Sequence, residues 1–215
     1  MYLHYALDMW FQKVVIPHCT GKAFLTRFVD DFVGAFEKLE DAQRFYAVLG
    51  KRLGKFGLEL SAEKTRIIPF SSTIKPGKTS FDFLGFEFRW GKDRKGKPHV
   101  MRRTARKNLR NSLKRFKEWC KGSRSLRLPE LFKLSNAKLR GHYNYYGVND
   151  NYPSLIQFYR GVLKLLIKCL NRRSQRLSYN QAGLDQLFEQ FRIEKPHIVG
   201  RPKMYRKTSA EPIMA

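Results

Sequence analysis

Residues 24–36 read Phe-Leu-Thr-Arg-Phe-Val-Asp-Asp-Phe-Val-Gly-Ala-Phe and place two adjacent carboxylates, Asp30 and Asp31, between two apolar half-strands. β-Forming residues alternate on both sides of a two-residue break, and Asp tolerates tight-turn geometry, so the stretch predicts a hairpin with both carboxylates at its tip. Paired carboxylates on a stiff hairpin are typical of a divalent-metal site for phosphoryl transfer, because Mg²⁺ prefers hard oxygen ligands. A solvated acidic turn is the alternative that this stretch alone leaves open.

Hydrophobic periodicity around the hairpin predicts an α+β layer. Its predicted elements are a helix at 2–15, the hairpin at 23–36, a helix at 41–56, a short strand pair at 58–60 and 64–70, a loop at 71–78 and a strand at 81–90. The two helices carry apolar stripes, Leu3, Leu7, Trp10, Phe11 and Val14 in the first and Ala42, Phe45, Leu49, Leu53 and Phe56 in the second. Asp41 is a candidate helix cap.

The composition changes at the Gly/Lys-rich segment 91–98, which predicts a linker at 91–100 between a first domain at 1–90 and a helical domain at 101–199. The expected helices are 102–121, 129–147, 153–175 and 181–191, and three or four helices form a bundle. Residues 200–215 are expected to be a flexible basic tail. The fold class is therefore α+β followed by an all-α bundle.

Positive charge is concentrated in the second part of the chain. The whole sequence carries +25, but residues 1–90 hold 13 Lys/Arg against 10 Asp/Glu, whereas residues 91–215 hold 30 against 8. A field of this size favours a polyanion, and nucleic acid is expected before an anionic membrane because the cations are spread over several helices. No stretch reaches the length of a membrane span, and we expect no membrane association.

The predicted helix at 102–121 shows two stripes about 100° apart. Leu109, Leu113, Phe116 and Cys120 form the apolar stripe, and Arg103, Lys107, Arg110, Lys114, Lys117 and Lys121 form the cationic one. Glu118 is the one acidic residue in this helix. A solvated face would carry both signs of charge, so the pattern favours a helix that follows phosphates.

Three cysteines, Cys19, Cys120 and Cys169, are far apart and form no zinc-ligand spacing. They indicate buried, reduced thiols in a reducing compartment. Because a signal peptide is also not evident, we expect a cytoplasmic protein.

The motifs in chain order resemble the reverse transcriptases encoded by bacterial group II introns, also called maturases. The resemblance rests on Phe28-Val29-Asp30-Asp31 as the metal-binding motif C, Gly57–Thr65 as motif D, Phe83-Leu84-Gly85-Phe86 as the primer grip, Leu139–Gly147 as the thumb signature and Asn171–Ser174 as a further thumb block. It covers roughly residues 1–199. It implies the C-terminal part of a polymerase palm followed by a helical thumb or maturase domain.

The resemblance also implies roles for single residues. Asp30 would bind both Mg²⁺ ions together with a carboxylate from an earlier motif A, and Asp31 would support the site from the opposite side. Lys64 would hold or protonate the departing pyrophosphate, although a solvated lysine beside Glu63 is an equally good interpretation. Leu84 and Gly85 would let the primer backbone approach closely, with a simple bulge as the alternative.

In the implied thumb, the helical phases of Tyr143 and Tyr146 predict core positions. The expected RNA-backbone contacts are Lys133, Arg140 and Asn144, together with a phosphate-binding cluster of Arg172, Arg173 and Arg176. A fraying basic helix end is the alternative for that cluster.

The sequence departs from the family pattern in motif C, where Phe28 replaces Tyr and Val29 replaces Ala. The family's fingers and motif A would lie upstream of Met1, so we expect a fragment of an RNA-directed DNA polymerase that is inactive alone. A separate chain would then supply the fingers and motif A. The expected ligands are Mg²⁺, intron or template RNA and a DNA primer. The alternatives from other classes are a non-catalytic RNA-binding maturase remnant and a generic DNA-binding protein.

Overall fold

The computed structural model describes residues 2–73, 79–93, 95–172 and 179–199. The chain divides into two compact units, Met1–Met101 and Arg102–Ala215. Helices and small antiparallel sheets occur together in the first unit and helices dominate the second, which confirms the α+β class. The predicted tail at 200–215 and most of the predicted loop at 71–78 lie outside the described residues.

The first unit begins with a helix over residues 2–18, which includes two π-helical stretches, His4–Met9 and Phe11–Val15, and ends in α1, Ile16–His18. A π-helix has more residues per turn than an α-helix, and residues four apart therefore share a face. Leu7, Phe11 and Val15 form the buried stripe. The prediction that Val14 belongs to the apolar stripe is wrong, because the Val14 side chain is exposed.

The predicted hairpin is present as β1, Ala23–Phe28, and β2, Asp31–Phe36, paired antiparallel from Ala23↔Phe36 to Phe28↔Asp31. It is followed by α2, Leu39–Gly54, which buries the predicted positions Phe45, Leu49 and Leu53. Leu25, Phe32 and Phe36 of the hairpin pack on the same core as α2 and the N-terminal helix. This packing determines which face of the hairpin is turned toward the core of the first unit.

The chain between α2 and the next sheet differs from the prediction. Residues 58–70 form no strand in the described part of the chain, and a turn occupies residues 62–64. Gly57 has φ +66°, and the Leu58 N–H bonds to the Leu53 carbonyl, which is the Schellman closure of a helix C-terminus. Gly57 is therefore required by the end of α2.

Residues 81–90, predicted as one strand, form a hairpin instead. β3, Ser80–Phe83, pairs antiparallel with β4, Phe86–Lys92, and β5, Pro98–Thr104, completes the sheet in the order β3-β4-β5. The segment 91–100, predicted as a linker, contains the end of β4 and the start of β5.

The second unit contains four described helices. They are α3, Arg106–Gly122, α4, Leu128–Tyr146, α5, Tyr152–Asn171, and α6, Gln181–Gln190. One continuous core joins them, and it includes the predicted α3 positions Leu109, Phe116 and Cys120, with Leu113 packed against it. Tyr143 is fully buried and Tyr146 is partly buried against this core, as predicted.

Hydrogen bonds of the buried Asn151 side chain connect the end of β5, the end of α4 and the start of α5. The Asn151 side chain, just before α5, accepts the Thr104 backbone N–H at 2.7 Å and donates to the Thr104 hydroxyl at 2.9 Å and the Tyr146 carbonyl at 2.8 Å. Asn151 is fully buried, so these bonds satisfy an otherwise costly amide.

All three cysteines are free thiols, as expected, but only Cys120 and Cys169 are buried, whereas Cys19 is half-buried. Across the described ranges, no helix is both long and apolar enough to cross a membrane.

His142 provides a test of the packing of the second unit. Its ring stacks on Phe158 with 3.6 Å between the centroids, and burial lowers its pKa to about 4. Between pH 6.5 and 4 the unfolded chain gains a proton that the folded chain does not, so stability falls as the pH falls through this window. We expect a loss of about 3 kcal/mol in the free energy of unfolding.

Urea unfolding of wild type and His142→Phe between pH 7 and 4 measures this loss. His142→Phe should lack that part of the pH dependence, and the exposed His18→Gln should retain it. An unchanged pH dependence in His142→Phe would contradict a neutral, half-buried His142.

Candidate metal and nucleic-acid sites

The hairpin tip is a two-residue turn formed by Val29 and Asp30, because Phe28 pairs with Asp31. The prediction that Asp30 and Asp31 share the turn is therefore wrong by one residue, and Asp31 is the first residue of β2. Val29 has φ +53°, which is unusual for a β-branched residue and stores strain at the tip. Both carboxylates are exposed and adjacent.

Arg27 holds this turn in place. Its guanidinium donates to both carboxylate oxygens of Asp8, at 2.8 and 2.6 Å, and to the Val29 carbonyl at 2.7 Å. Asp8 lies on the N-terminal helix, so one side chain connects that helix to the strained turn. The Arg27 hydrogen bond holds the pKa of Asp8 below its ordinary value and raises that of Arg27.

The base of the hairpin is fixed by Asp41, which was predicted as a helix cap. Asp41 instead lies within the first turn of α2, is buried, and accepts the backbone N–H groups of Thr20 and Gly21, each at 3.0 Å. It also pairs with Arg44. Burial would raise the pKa of the Asp41 carboxyl, but the Gly21 and Thr20 N–H groups outweigh it and lower that pKa.

The donor set of the tip fits Mg²⁺. Proteins commonly hold this ion through one or two carboxylates while water and substrate phosphates complete its shell, and Asp30 and Asp31 supply two exposed carboxylates. Within the described ranges, no three His, Cys, Asp or Glu side chains are grouped as a metal site. The tip therefore offers two protein ligands.

The other predicted residues of the first unit occupy turns. Lys64 is exposed at the end of the turn at 62–64. Leu84 and Gly85 form the two-residue turn between β3 and β4, with φ +49° and +79°. Gly85 is thus explained by the positive φ of a hairpin turn rather than by a bulge.

The predicted cationic stripe of α3 is largely present. Lys107, Arg110, Lys114, Lys117 and Lys121 are all exposed, and we call them the α3 row. Arg103 is not part of it, because the helix begins at Arg106 and Arg103 lies half-buried in β5. The row therefore spans about 21 Å of helix rather than the longer stretch predicted.

The thumb signature at 139–147 is mostly explained by packing. Leu139 and Tyr143 are fully buried, and a side chain on Gly147 would collide with the Tyr143 carbonyl. Arg140 forms an ion pair with Glu194 at 3.6 Å, so part of its positive charge is already balanced within the fold. Asn144 is exposed.

Lys133 on α4 and Arg172 at the end of α5 are exposed as well. Arg173 and Arg176 lie outside the described residues.

Two features were missed from the sequence. The first is the Asp8–Arg27 contact. The sequence could have indicated it, because Arg27 stands next to Phe28 at an inward-facing position of the strand. The second is a row of exposed cations along α5 at intervals of four residues, of which only Arg172 was predicted to bind phosphates. We call it the α5 row: Arg160, Lys164, Lys168 and Arg172. Its spacing is visible in the sequence but lies within a strongly apolar segment.

Comparison with known proteins bears on the first unit. Residues 1–88 match the family model described as reverse transcriptase (RNA-dependent DNA polymerase). The match includes the carboxylate hairpin, so the first unit is similar to reverse transcriptases over that range. No curated protein matches the chain significantly.

Arg27→Gln tests how the tip is held. The change removes the guanidinium from Asp8 and Val29, so we expect a loss of about 1 kcal/mol in the free energy of unfolding. We also expect faster amide hydrogen exchange at Phe28 and Asp31. Arg44→Gln is the matched control, because it also removes an Arg–Asp pair but makes no contact with the tip. Equal exchange rates at the tip in both variants would contradict the role of Arg27.

Proposed function

We propose that the chain is part of a group II intron-type reverse transcriptase, with residues 1–101 contributing to the palm and the helical unit to the thumb or maturase domain. The reaction of the intact enzyme would be RNA-templated addition of deoxynucleotides to a primer 3′ hydroxyl. The observation that carries the proposal is the carboxylate hairpin, which lies inside the segment that matches the reverse transcriptase family. In this proposal the protein acts in the cytoplasm on intron RNA and assists its splicing.

The roles of the tip residues follow from their chemistry. Asp30 and Asp31 would hold Mg²⁺, which when bound lowers the charge on the reacting phosphate oxygens. Arg27 keeps the turn in one geometry through the Val29 carbonyl, so the two carboxylates stay in fixed positions. Arg27 forms its ion pair with Asp8, and the charge of Asp30 is a smaller contribution to the raised pKa of Arg27.

Lys64 and the Leu84–Gly85 turn also have proposed roles. Lys64 is an exposed, flexible cation, and such a group suits a departing pyrophosphate. The Leu84–Gly85 turn presents backbone with little side chain at Gly85, which is suitable for close approach by a primer strand.

The helical unit would bind RNA through exposed cations. The α3 row and Arg172 carry this proposal, with Lys133 and Asn144 as further contacts. Arg140 would contribute less than a free cation, since it is paired with Glu194. Contacts from Arg103, Arg173 and Arg176 remain predictions from the sequence.

A second candidate function is RNA binding without catalysis, as in a maturase remnant. It is favoured by the charge distribution, because residues 91–215 carry 30 Lys/Arg against 8 Asp/Glu. This candidate needs no metal at Asp30 and Asp31. Metal binding at the hairpin therefore separates the two candidates.

Mn²⁺ as a paramagnetic substitute for Mg²⁺ tests the first candidate. In NMR spectra of the chain with an RNA–DNA primer duplex and a deoxynucleotide, Mn²⁺ should broaden the amides nearest the tip, those of Val29, Asp30 and Asp31. Asp30→Asn should abolish the broadening, and Asp82→Asn, an exposed carboxylate on β3, should leave it intact. No broadening at the wild-type tip would reject the catalytic candidate and leave RNA binding.

A further inference from the structure

Arg52 on α2 contacts the N-terminal helix within its first π-helical stretch, His4–Met9. Its Nε donates to the Ala6 carbonyl at 3.1 Å, and its Nη2 donates to the Tyr5 carbonyl at 3.4 Å. Carbonyls inside a helix normally accept only from N–H groups of the same helix. Here a side chain from another helix donates to two of them.

Aromatic rings hold the Arg52 guanidinium at these carbonyls. Its Cζ lies 4.6 Å from the centre of the Phe56 ring and 5.7 Å from the centre of the Trp10 ring, and a guanidinium is attracted to such faces. The ion pairs found among the described residues do not include Arg52. Its hydrogen-bond partners in that part of the chain are therefore the two helix carbonyls.

The π-helical form of residues 4–9 has a physical cause in these bonds. π-Helices are rare and short, and they occur frequently at functional sites. A side chain that enters the hydrogen-bond ladder of a helix competes with the backbone N–H groups that would close α-helical turns, and it deforms the helix locally. Arg52 is placed to act in this way, because both of its acceptors lie inside the π-helical stretch.

The form of this helix determines where Asp8 points. An α-helix turns by about 100° per residue, whereas the i→i+5 bonds of a π-helix lower the turn to roughly 80°. Counted back from the buried Phe11, Asp8 would point about 60° away from its present direction in an α-helix. A carboxylate about 5–6 Å from the helix axis would then move by about 5–6 Å. The bonds from Arg27, at 2.8 and 2.6 Å, would break, because Arg27 is also held at the Val29 carbonyl.

We propose that Arg52 is a positioning residue for the hairpin tip. By bonding to two carbonyls of the π-helical stretch it keeps that stretch in its wider form, and this form directs Asp8 to Arg27. Arg27 then holds the tip through the Val29 carbonyl. The inference rests on the proposed function, because it assigns to Arg52 an effect on metal binding at the tip. The link from Arg52 to Arg27 is nevertheless measurable without a metal.

NMR spectroscopy of the full chain tests this proposal. Arg52→Met removes the donors but keeps a long side chain against the two rings, whereas Arg52→Lys keeps the charge and a donor. Leu49→Val is the structural control, because it removes packing from the buried core of the first unit and leaves the Arg52 donors in place. Arg27→Gln and the double variant Arg27→Gln/Arg52→Met complete a double-mutant cycle.

We expect Arg52→Met to replace contacts between residues five apart in 4–9 by contacts between residues four apart. The Arg27 Nε–H should lose its protection from exchange with water. The amides of Phe28 and Asp31 should exchange about fivefold faster, the factor that corresponds to one ordinary hydrogen bond. Arg52→Lys should restore part of this protection. Because Arg52 acts through Arg27, the double variant should exchange no faster at the tip than Arg27→Gln alone.

Mn²⁺ titration measures the consequence for the metal site. With the RNA–DNA primer duplex and the deoxynucleotide present, the Mn²⁺ concentration that half-broadens the Asp31 amide should rise about fivefold in Arg52→Met, because the turn must be ordered without one hydrogen bond. Leu49→Val and the exposed neighbour variant Lys51→Gln should keep the wild-type concentration.

Three results would overturn the proposal. An equal rise of exchange at the tip in Arg52→Met and Leu49→Val would show only a loss of stability. Additive effects in the double variant would show that Arg52 acts independently of Arg27. Residues 4–9 that stay π-helical in Arg52→Met would show that Arg52 does not cause this form.

Failure of the proposed function has a different signature. A wild-type chain without Mn²⁺ broadening at the tip rejects the metal site, and with it the effect of Arg52 on metal binding. The metal-free exchange rates still decide whether Arg52 positions the tip through Arg27.

Discussion

The ion pair between Asp8 and Arg27 is the contact on which the hairpin tip depends. A β-branched residue in the left-handed region costs about 1–3 kcal/mol and persists only where its surroundings determine it fully. At Val29 three constraints act together: the two-residue turn, the Phe28↔Asp31 pairing and the Arg27 bond to its carbonyl. Without Asp8 the guanidinium would lose the partner that fixes its direction.

In the second unit the corresponding constraint is the close contact at Gly161. Because this position has no side chain, α5 approaches Leu113 of α3 closely. The α3 row and the α5 row both stay exposed although the like charges within them repel one another. Burial of the apolar faces, including the fully buried Val162 and Leu166, opposes this repulsion.

The local sequence pattern predicted most of the helices and strands, and each wrong prediction has an identifiable cause. The turn at the tip lies one residue earlier than predicted, because Phe28 pairs with Asp31 and Val29 takes the left-handed conformation, whereas the prediction relied on the turn preference of Asp. The apolar and cationic stripes of α3 were predictable, because the residue spacing within a single helix determines which side chains share a face.

The single strand predicted at 81–90 had a visible contrary signal. Its aromatic positions change from odd numbers, Phe81 and Phe83, to even numbers, Phe86 and Phe88. A two-residue turn produces this change of phase, and Gly85 supplies its positive φ. The contact between α3 and α5 was not predictable, because it depends on which helices touch and in which direction.

The proposed function requires one chain to hold both a metal cation and a polyanion, and the distribution of charge along the chain suits both tasks. Asp30 and Asp31 belong to a segment that is almost neutral, with 13 Lys/Arg against 10 Asp/Glu over residues 1–90. The nearest described cation with a defined contact at the tip is Arg27, and its charge is already balanced by Asp8. Most of the Arg27 charge is thus balanced away from the tip, and the two carboxylates would remain available to a divalent ion, while the proposed phosphate contacts lie on helices of the other unit. Had Arg27 formed its ion pair with Asp30 instead, one arginine would have stabilised the turn and removed about half of the charge that would attract a metal.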